Sequence, residues 1–293
     1  MYRVAILGCE NSHANNFLTF VLKDKLVNDV EVVGVYSEYE EAGRELHDKF
    51  GVYVADSYDE FVGKVDGIII TARHGDNHYK YAKPYIASGI PMFIDKPITC
   101  TEEDAKAFVD ELKAHQVPVC GGSMCVLPDL IQDLKKLVEN EEKGKVVGGY
   151  MRAPMNLDNE WGGFYFYTQH LVQMTTEIFG CYPESVQAFQ NGNCINCTVR
   201  YKDYDVNLLF VDSNGVYYAG VSAAEAFVGG TCLATGEDYT QGFQREFMEF
   251  YELLTRRKQK YSYRDFFAPV YILNAIDRSL KSGKEEAVHR YEV

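Results

Sequence analysis

The chain has 293 residues, of which 46% are apolar and 25% are charged, and its formal net charge is −14. This length exceeds that of a typical single core, so we expect two domains. The negative charge disfavours nucleic-acid phosphates and anionic lipid, so neither nucleic acid nor a membrane is an expected partner. No stretch approaches the roughly 20 apolar residues of a membrane-spanning helix, and the apolar run in residues 1–8 is too short for a signal peptide. We therefore expect a cytoplasmic protein whose eight cysteines are reduced.

Residues 1–122 alternate short apolar runs with helical patterns. The runs at residues 4–7, 30–36, 67–71, 91–94 and 117–120 predict strands, and the patterns at 16–26, 40–50, 77–88 and 101–115 predict helices. Repeated strand–helix units of this length predict a Rossmann-type, doubly wound parallel sheet. Ligands of such sheets bind beyond the carboxyl ends of the strands. That rule places residues 8–13, 36–38, 72–78 and 95–97 along one rim.

The pattern changes after residue 122. Helices are predicted at residues 128–142, 167–179, 243–255 and 264–282, and strands at 146–151, 185–190, 196–201, 206–211 and 215–221. The regular spacing of the later strands favours antiparallel pairing, and Asn214-Gly215 is a hairpin signal. The fold class is therefore α/β. A Rossmann domain at residues 1–122 precedes an α+β domain at 123–293 with a largely antiparallel, open-faced sheet.

The turn after the first strand reads G-C-E-N-S-H at residues 8–13, with only the first glycine of a G-x-G-x-x-G dinucleotide fingerprint. A tight turn followed by a helix whose first N–H groups favour phosphate is still predicted. Glu10 is unfavourable there, because its charge would repel a pyrophosphate. At the end of the second strand, Ser37 stands where an acid that binds the adenosine ribose is expected, and Glu38 follows it. The preference between NAD and NADP stays open.

Four further features, taken together, are similar to one known family. They are the strand and loop of residues 67–78 ending in Asn77-His78, the Asp95-Lys96-Pro97 segment after the fourth strand, Trp161-Gly162-Gly163 followed by a helix with His170, and the terminal block 243–282. Over nearly the whole chain they resemble the glucose–fructose oxidoreductase, inositol dehydrogenase and MocA family. The resemblance implies an NAD(P)-dependent oxidoreductase that transfers a hydride between nicotinamide and a sugar, inositol or related polyol.

The chemistry of alcohol oxidation requires a positioned base for the hydroxyl proton. Lys96 and His170 are the candidate catalytic residues, and we expect them to face each other across a cleft. Which of the two holds the proton is open. The candidate cofactor-binding residues are Gly8, Asn11, Ser12, His13, Ser37, Glu38, Ala72, His78, Asp95, Lys96 and Pro97.

Aromatic residues crowd the entrance to the predicted His170 helix. Trp161, Tyr165 and Tyr167 are candidate substrate-binding residues, because aromatic faces pack against the C–H faces of a sugar and tyrosine hydroxyls bind its oxygens. Core or subunit contacts are the alternative. His13 and His78 lie with a third histidine on the predicted rim, but their spacing is not diagnostic of a metal site, and none is predicted.

Two other functions remain open. An NAD-dependent glycosidase would keep the fold and retain its cofactor, and a nucleotide- or sugar-sensing protein would lack turnover. Phe166 favours the sensing role, since the family often has an aspartate four residues before the histidine.

An open sheet face needs cover, so we expect a homodimer or homotetramer.

Overall fold

The computed structural model of the chain describes residues 1–212 and 214–292. The helices are α1 (Ser12–Leu18), α2 (Glu40–Phe50), α3 (Asp76–Ile86), α4 (Glu102–Ala114), α5 (Asp129–Glu139), α6 (Phe164–Phe179), α7 (Gly236–Arg256) and α8 (Tyr263–Ser282). The strands are β1 (Tyr2–Leu7), β2 (Val30–Tyr36), β3 (Gly67–Ile70), β4 (Met92–Asp95), β5 (Val119–Gly122), β6 (Val146–Met155), β7 (Ser185–Asn191), β8 (Cys194–Arg200), β9 (Asp205–Asp212), β10 (Tyr217–Ala223), β11 (Phe227–Cys232) and β12 (Glu286–Ala287). No helix in the described ranges is long and apolar enough to cross a membrane.

The chain forms two compact units. The first unit consists of Met1–Thr99, Glu103–Gly122 and Phe243–Tyr263, and the second of Cys100–Glu102, Ser123–Gly242 and the chain from Arg264 onward. The sequence divided the chain once, at residue 122. Most of α7 instead belongs with the first unit, although more than a hundred residues separate it from β5.

The first unit is built on a five-stranded sheet in the order β2-β1-β3-β4-β5. Every pair of neighbours in it is parallel. This arrangement confirms the predicted parallel sheet. The strand order reverses direction between β1 and β3, which is where ligands of such sheets bind.

Helix α7 completes the core of the first unit. Its apolar side chains recur at helical spacing, and Phe247, Phe250 and Leu253 are at most 1% exposed. The ring of Phe247 packs against that of Phe17, with their centroids 5.4 Å apart. Helix α7 is therefore held to the first unit by burial of its apolar face.

The second unit contains a seven-stranded sheet in the order β11-β10-β6-β9-β8-β7-β12. All neighbouring pairs are antiparallel except β6 and β9. The predicted Asn214-Gly215 hairpin is wrong, because β6 lies between β9 and β10 and pairs with both. A turn signal is local, whereas the pairing partner is selected by burial of whole strands.

Other elements also differ from the sequence prediction. Helix α1 begins at Ser12 rather than residue 16 and is followed by a wider helical turn at Thr19–Lys23. Helix α7 begins at Gly236 rather than residue 243. Strand β11 was not predicted, since Cys232 is its only buried residue and it therefore lacks an apolar pattern.

Candidate active site

The turn after β1 contacts the loop after β3. Gly8 has φ +75°, and a Cβ on it would lie 2.4 Å from Cα of Ala72. The N–H groups of Gly8 and Cys9 donate hydrogen bonds to the carbonyl oxygen of Tyr36, at 2.8 and 3.1 Å. The structure thus brings together the ends of β1, β2 and β3, as the rim prediction requires, and only glycine fits at position 8.

Glu10 replaces the second glycine of the fingerprint, and its carboxylate joins two strand ends. Oε2 accepts a hydrogen bond from the hydroxyl of Ser37 at 2.7 Å. Oε1 accepts one from the backbone N–H of Arg73 at 3.1 Å. Glu10 therefore provides a carboxylate beside Ser37, where the sequence lacks the expected acid. The sequence interpretation treated Glu10 only as an obstacle to phosphate.

Glu38, the other acid at this strand end, is engaged elsewhere. Its carboxylate forms an ion pair with Lys80 of α3. The hydrogen bond from Lys80 is the main cause of the lowered pKa of Glu38.

Ser12, another predicted cofactor residue, is exposed at the start of α1. Its hydroxyl donates a hydrogen bond to Oδ1 of Asn11.

A buried polar cluster lies beneath the rim, at the end of β4. Asp95 is fully buried, and its Oδ2 accepts a hydrogen bond from Nδ2 of Asn11 at 2.7 Å. Nδ1 of His13 lies 3.2 Å from the same oxygen. Burial lowers the pKa of His13 to about 4 and raises that of Asp95. Three predicted cofactor residues therefore meet here.

Glu246 of α7 joins the cluster from the far end of the sequence. Its side chain is 2% exposed, and its Oε2 lies 2.9 Å from Nε2 of His13. The two atoms are not aligned for a hydrogen bond, and neither carboxyl oxygen of Glu246 has another partner among the described residues. Burial raises the pKa of Glu246 well above its ordinary value, so the neutral acid is favoured. Sequence reasoning missed this residue because nothing in the pattern of α7 indicates where it docks.

His78 ties two rim loops together. It is fully buried, with Nδ1 2.7 Å from the carbonyl oxygen of Pro97 and Nε2 2.8 Å from that of Ala72. Burial lowers its pKa to about 4. The neutral ring donates a hydrogen bond to one of these two carbonyl oxygens and contacts the other, so His78 supports the rim.

Lys96 directly follows β4 and is 5% exposed. Its backbone N–H donates to Oδ1 of Asp95 at 2.7 Å, and its peptide bond to Pro97 is cis. A lysine on the solvated surface would be far more exposed than this. The local fold therefore holds Lys96 as a largely buried amine beside the polar cluster.

In the second unit, His170 lies on α6 with Ser123 as its partner. Oγ of Ser123 lies 2.6 Å from Nδ1 of His170, and Sγ of Cys125 lies 3.4 Å from the same nitrogen. All three residues are buried. The position four residues before the histidine holds Phe166, whose ring packs against Tyr167. The sequence interpretation missed Ser123, although it lies three residues after the fifth predicted strand (117–120), near the strand end where ligand-binding residues are expected.

A cavity of about 300 Å³ opens beside Tyr167, whose ring packs edge-on against that of His170 with centroids 5.0 Å apart. Its lining residues are Pro154, Met155, Asn156, Tyr167, Asp212, Asn214, Gly215, Tyr217 and Tyr239. Burial raises the pKa of Tyr217, and that of Tyr239 to about 12, so both hydroxyls are neutral donors. A small cavity with several polar groups and aromatic faces is suited to a polyhydroxylated ring.

The other two candidate substrate residues do not line this cavity. The hydroxyl of Tyr165 donates to Oδ2 of Asp277 on α8 at 3.1 Å, so it links two helices of the second unit. Trp161 is half-buried, and its backbone N–H donates to Oδ1 of Asn159. Tyr217 and Tyr239, which the sequence did not single out, are aromatic residues that line this cavity.

Solved structures of similar fold include myo-inositol 2-dehydrogenase from Lactobacillus plantarum, with a TM-score of 0.85 at 15% identity over 98% of this chain and 99% of that one. A myo-inositol dehydrogenase from Corynebacterium glutamicum gives 0.83 at 17% identity, over 99% of each chain. The scyllo-inositol dehydrogenase from Lactobacillus casei, solved with NAD(H) and scyllo-inositol, gives 0.83 at 13% identity over 98% of this chain and 99% of that one. At these identities the likeness shows the shared fold. A comparison with curated proteins gave no significant match.

The first unit matches a family directly. Residues 2–122 match the model of an oxidoreductase family with an NAD-binding Rossmann fold, which is named for glucose–fructose oxidoreductase, inositol dehydrogenase and MocA. This match confirms the resemblance drawn from the sequence. Residues 2–122 are therefore similar to the NAD-binding Rossmann domain of the glucose–fructose oxidoreductase, inositol dehydrogenase and MocA family of oxidoreductases.

Proposed function

We propose that the chain is an NAD-dependent dehydrogenase that oxidises a secondary alcohol of a cyclic polyol or sugar. The observation that carries this proposal is the cavity lined by Tyr167, Tyr217 and Tyr239 beside His170, in a chain whose first unit is an NAD-binding Rossmann fold. The scyllo-inositol dehydrogenase of similar fold was solved with its polyol bound, which supports the same substrate class.

The chemistry divides between the cofactor and the side chains. Bound NAD⁺ accepts the hydride from the substrate carbon. Lys96 and His170 are the proposed groups that manage the hydroxyl proton and hold the substrate oxygen. Gly8, Asn11, Asp95 and Pro97 are proposed to shape the dinucleotide site, supported by the close approach of Gly8 to Ala72.

We propose NAD rather than NADP on the basis of Glu10. Its carboxylate accepts the hydroxyl hydrogen bond of Ser37 at the end of β2, where an adenosine ribose is bound in such folds. A carboxylate accepts hydrogen bonds from ribose hydroxyls and repels a 2′-phosphate. Glu38 contributes less, because its charge is neutralised by Lys80.

The first test is calorimetric titration of the purified protein with NAD⁺, NADH, NADP⁺ and NADPH. We expect NAD⁺ and NADH to bind at least tenfold more tightly than NADP⁺ and NADPH. We expect Glu10→Gln to reduce this difference in affinity. Glu41→Gln is the matched control, because Glu41 forms an ion pair with Arg44 on the exposed face of α2. If none of the four nucleotides bound the folded protein, the dehydrogenase proposal would fail.

The substrate is then sought among inositols and monosaccharides by following NADH formation. Turnover of one or more of them supports the proposal.

A nucleotide- or sugar-sensing role is the alternative favoured by Phe166, which leaves the histidine without an aspartate on the preceding turn. Tight binding of NAD and a polyol with no turnover in either direction would support that role.

We also propose a homo-oligomer, dimeric or tetrameric. The second-unit sheet exposes large apolar side chains at Val147, Tyr150, Phe189 and Phe227. Such side chains in contact with water favour association. Light scattering during gel filtration is expected to show a multiple of the 33.3 kDa chain mass, and Phe189→Asp is expected to shift the distribution toward monomer.

A further inference from the structure

The hydroxyl of Ser123 has two hydrogen-bond neighbours among the described residues. The backbone N–H of Cys125 donates to Oγ at 3.1 Å, as expected of a residue that caps the helical turn Met124–Val126. Nδ1 of His170 lies 2.6 Å from the same oxygen. A hydroxyl has one hydrogen to donate and two lone pairs that accept.

These contacts determine which atom donates in the Ser123–His170 pair. The N–H of Cys125 can only donate, so Ser123 Oγ is its acceptor. The hydroxyl hydrogen then has Nδ1 of His170 as its acceptor. If Nδ1 carried a proton instead, two N–H groups would converge on Oγ, and the hydroxyl hydrogen would be buried without an acceptor. Nδ1 is therefore the unprotonated nitrogen.

The sulfur of Cys125 is compatible with this assignment. Its thiol lies 3.4 Å from the same Nδ1, and a thiol both donates and accepts weakly. A carboxylate on the preceding turn would instead accept a hydrogen from Nδ1, but Phe166 occupies that position. The bond made by one imidazole nitrogen decides whether the other carries a proton. Here the neighbours of Nδ1 leave the proton on Nε2.

We infer that Ser123 holds His170 as the Nε2–H tautomer, so that His170 donates a hydrogen bond to the substrate oxygen and is not the base; this assignment rests on the proposed function. During oxidation the C–H bond breaks and its electron pair leaves with the hydrogen to NAD⁺. The O–H proton passes to the side-chain nitrogen of Lys96, the proposed base. The carbonyl that forms accepts the hydrogen bond from Nε2, which keeps its proton throughout. Ser123 is the positioning residue.

The tautomer is measured by ¹⁵N NMR of protein labelled at its seven histidines. The His170 signals are assigned from their loss in His170→Gln. We expect the Nε2–H pattern in the wild type and in Ser123→Thr, which keeps the hydroxyl. Ser123→Ala is expected to raise the Nδ1–H population several-fold. A wild-type His170 that is protonated on Nδ1, or on both nitrogens at pH 7.5, would overturn the inference.

Ser279→Ala is the matched control for the NMR measurement. Ser279 is a buried serine of the second unit that accepts from the N–H of Ala188 and donates to the carbonyl of Lys284, without a histidine partner. Removing the hydroxyl of Ser279 is expected to lower the stability of the protein about as much as Ser123→Ala does. The tautomer of His170 is expected to stay the same. A change of tautomer in this variant would mean that general loosening, and not the hydroxyl of Ser123, sets the protonation.

A kinetic measurement separates a donor from a base. The side-chain amide of His170→Gln offers an N–H near the position of Nε2, and His170→Ala offers none. If His170 is a donor, the glutamine variant should lose about tenfold in kcat and the alanine variant roughly 10²–10³-fold. Equal losses would identify a base and refute the inference. The NMR result requires no turnover, so failure of the proposed dehydrogenase activity would be recognised separately.

Discussion

Nε2 of His13 lies 2.9 Å from Oε2 of Glu246, so a histidine of the first turn meets a carboxyl from α7 in the interior of the first unit. On its other side, His13 contacts Asp95 at the end of β4. A carboxyl, an imidazole and a second carboxyl thus lie in series beneath the rim that holds Lys96. We expect the protonation of these groups to affect the stability of this unit.

Replacing Glu246 by glutamine should stabilise the protein at high pH. Burial raises the pKa of Glu246, so its stabilising contribution is complete below the ordinary glutamate pKa of about 4.5 and is lost as pH rises toward the raised value. The variant has no proton to lose, and its advantage should grow to about 1–3 kcal/mol by pH 8 and vanish near pH 4. Denaturant unfolding at several pH values measures this. Glu252→Gln, on the exposed face of the same helix, should show no such trend.

Acid should destabilise the protein through His13 and His78. Burial lowers the pKa of each to about 4, so the stability that their neutral forms provide is complete above pH 6.5 and is lost as pH falls from 6.5 toward 4. Each contributes a slope of up to about 1.4 kcal/mol per pH unit. The measured quantity is the slope of the free energy of unfolding against pH. Either His78→Gln or His13→Gln should remove about half of this slope. His115→Gln, at an exposed histidine, should leave the slope unchanged.

Gly8→Ala should destabilise the protein more than Gly63→Ala. Both glycines have positive φ, +75° and +73°, but a Cβ at Gly63 meets nothing within 4 Å, whereas one at Gly8 meets the backbone of Ala72 at 2.4 Å. Backbone strain should cost about 1–2 kcal/mol at either site. The collision should add about 1–3 kcal/mol at Gly8 and weaken NAD binding. The measurement is thermal unfolding of both variants. Equal losses of stability in Gly8→Ala and Gly63→Ala would show that the loop after β3 moves aside freely.

Lys96→Met should abolish most turnover and weaken nucleotide binding by a much smaller factor. Loss of a positioned base costs about 10²–10⁴ in rate, and methionine preserves much of the buried volume of the lysine stem. The measurement is single-turnover formation of NADH, with calorimetry for NAD⁺ affinity. Lys106→Met, on the exposed face of α4, is the control. A variant that keeps the wild-type rate would remove Lys96 from the mechanism.

Tyr217→Phe should raise KM for the polyol by about two- to tenfold, the value of one neutral hydrogen bond. Tyr217 lines the cavity and is 2% exposed. Its neighbour Tyr218 lies on the opposite face of β10, so Tyr218→Phe should leave KM unchanged. Steady-state kinetics with the substrate found in the screen compares the two. A larger effect at Tyr218 would move the substrate site to the other face of the sheet.

The amino-acid sequence by itself determined the parallel sheet of the first unit and the rim on which we propose that the cofactor binds. Apolar runs of strand length alternate with helical periods, and these patterns are local to the segments that form them. Because parallel strands end at the same edge, Gly8, Ser37 and Asp95 could be placed on one rim from the order of the strands. Four features together, among them the Asp95-Lys96-Pro97 segment, then indicated a resemblance to the family.

Tertiary structure alone decided the contacts between segments that are distant in the chain. Strand β6 separates β9 from β10, so the local turn signal at Asn214-Gly215 did not predict the pairing. Glu246 reaches His13 and Ser123 reaches His170 because burial of apolar surface docks whole helices, and the docking position is set by packing over many side chains. A local pattern specifies which face of an element is buried. The packing of those faces then determines which polar side chains come into contact.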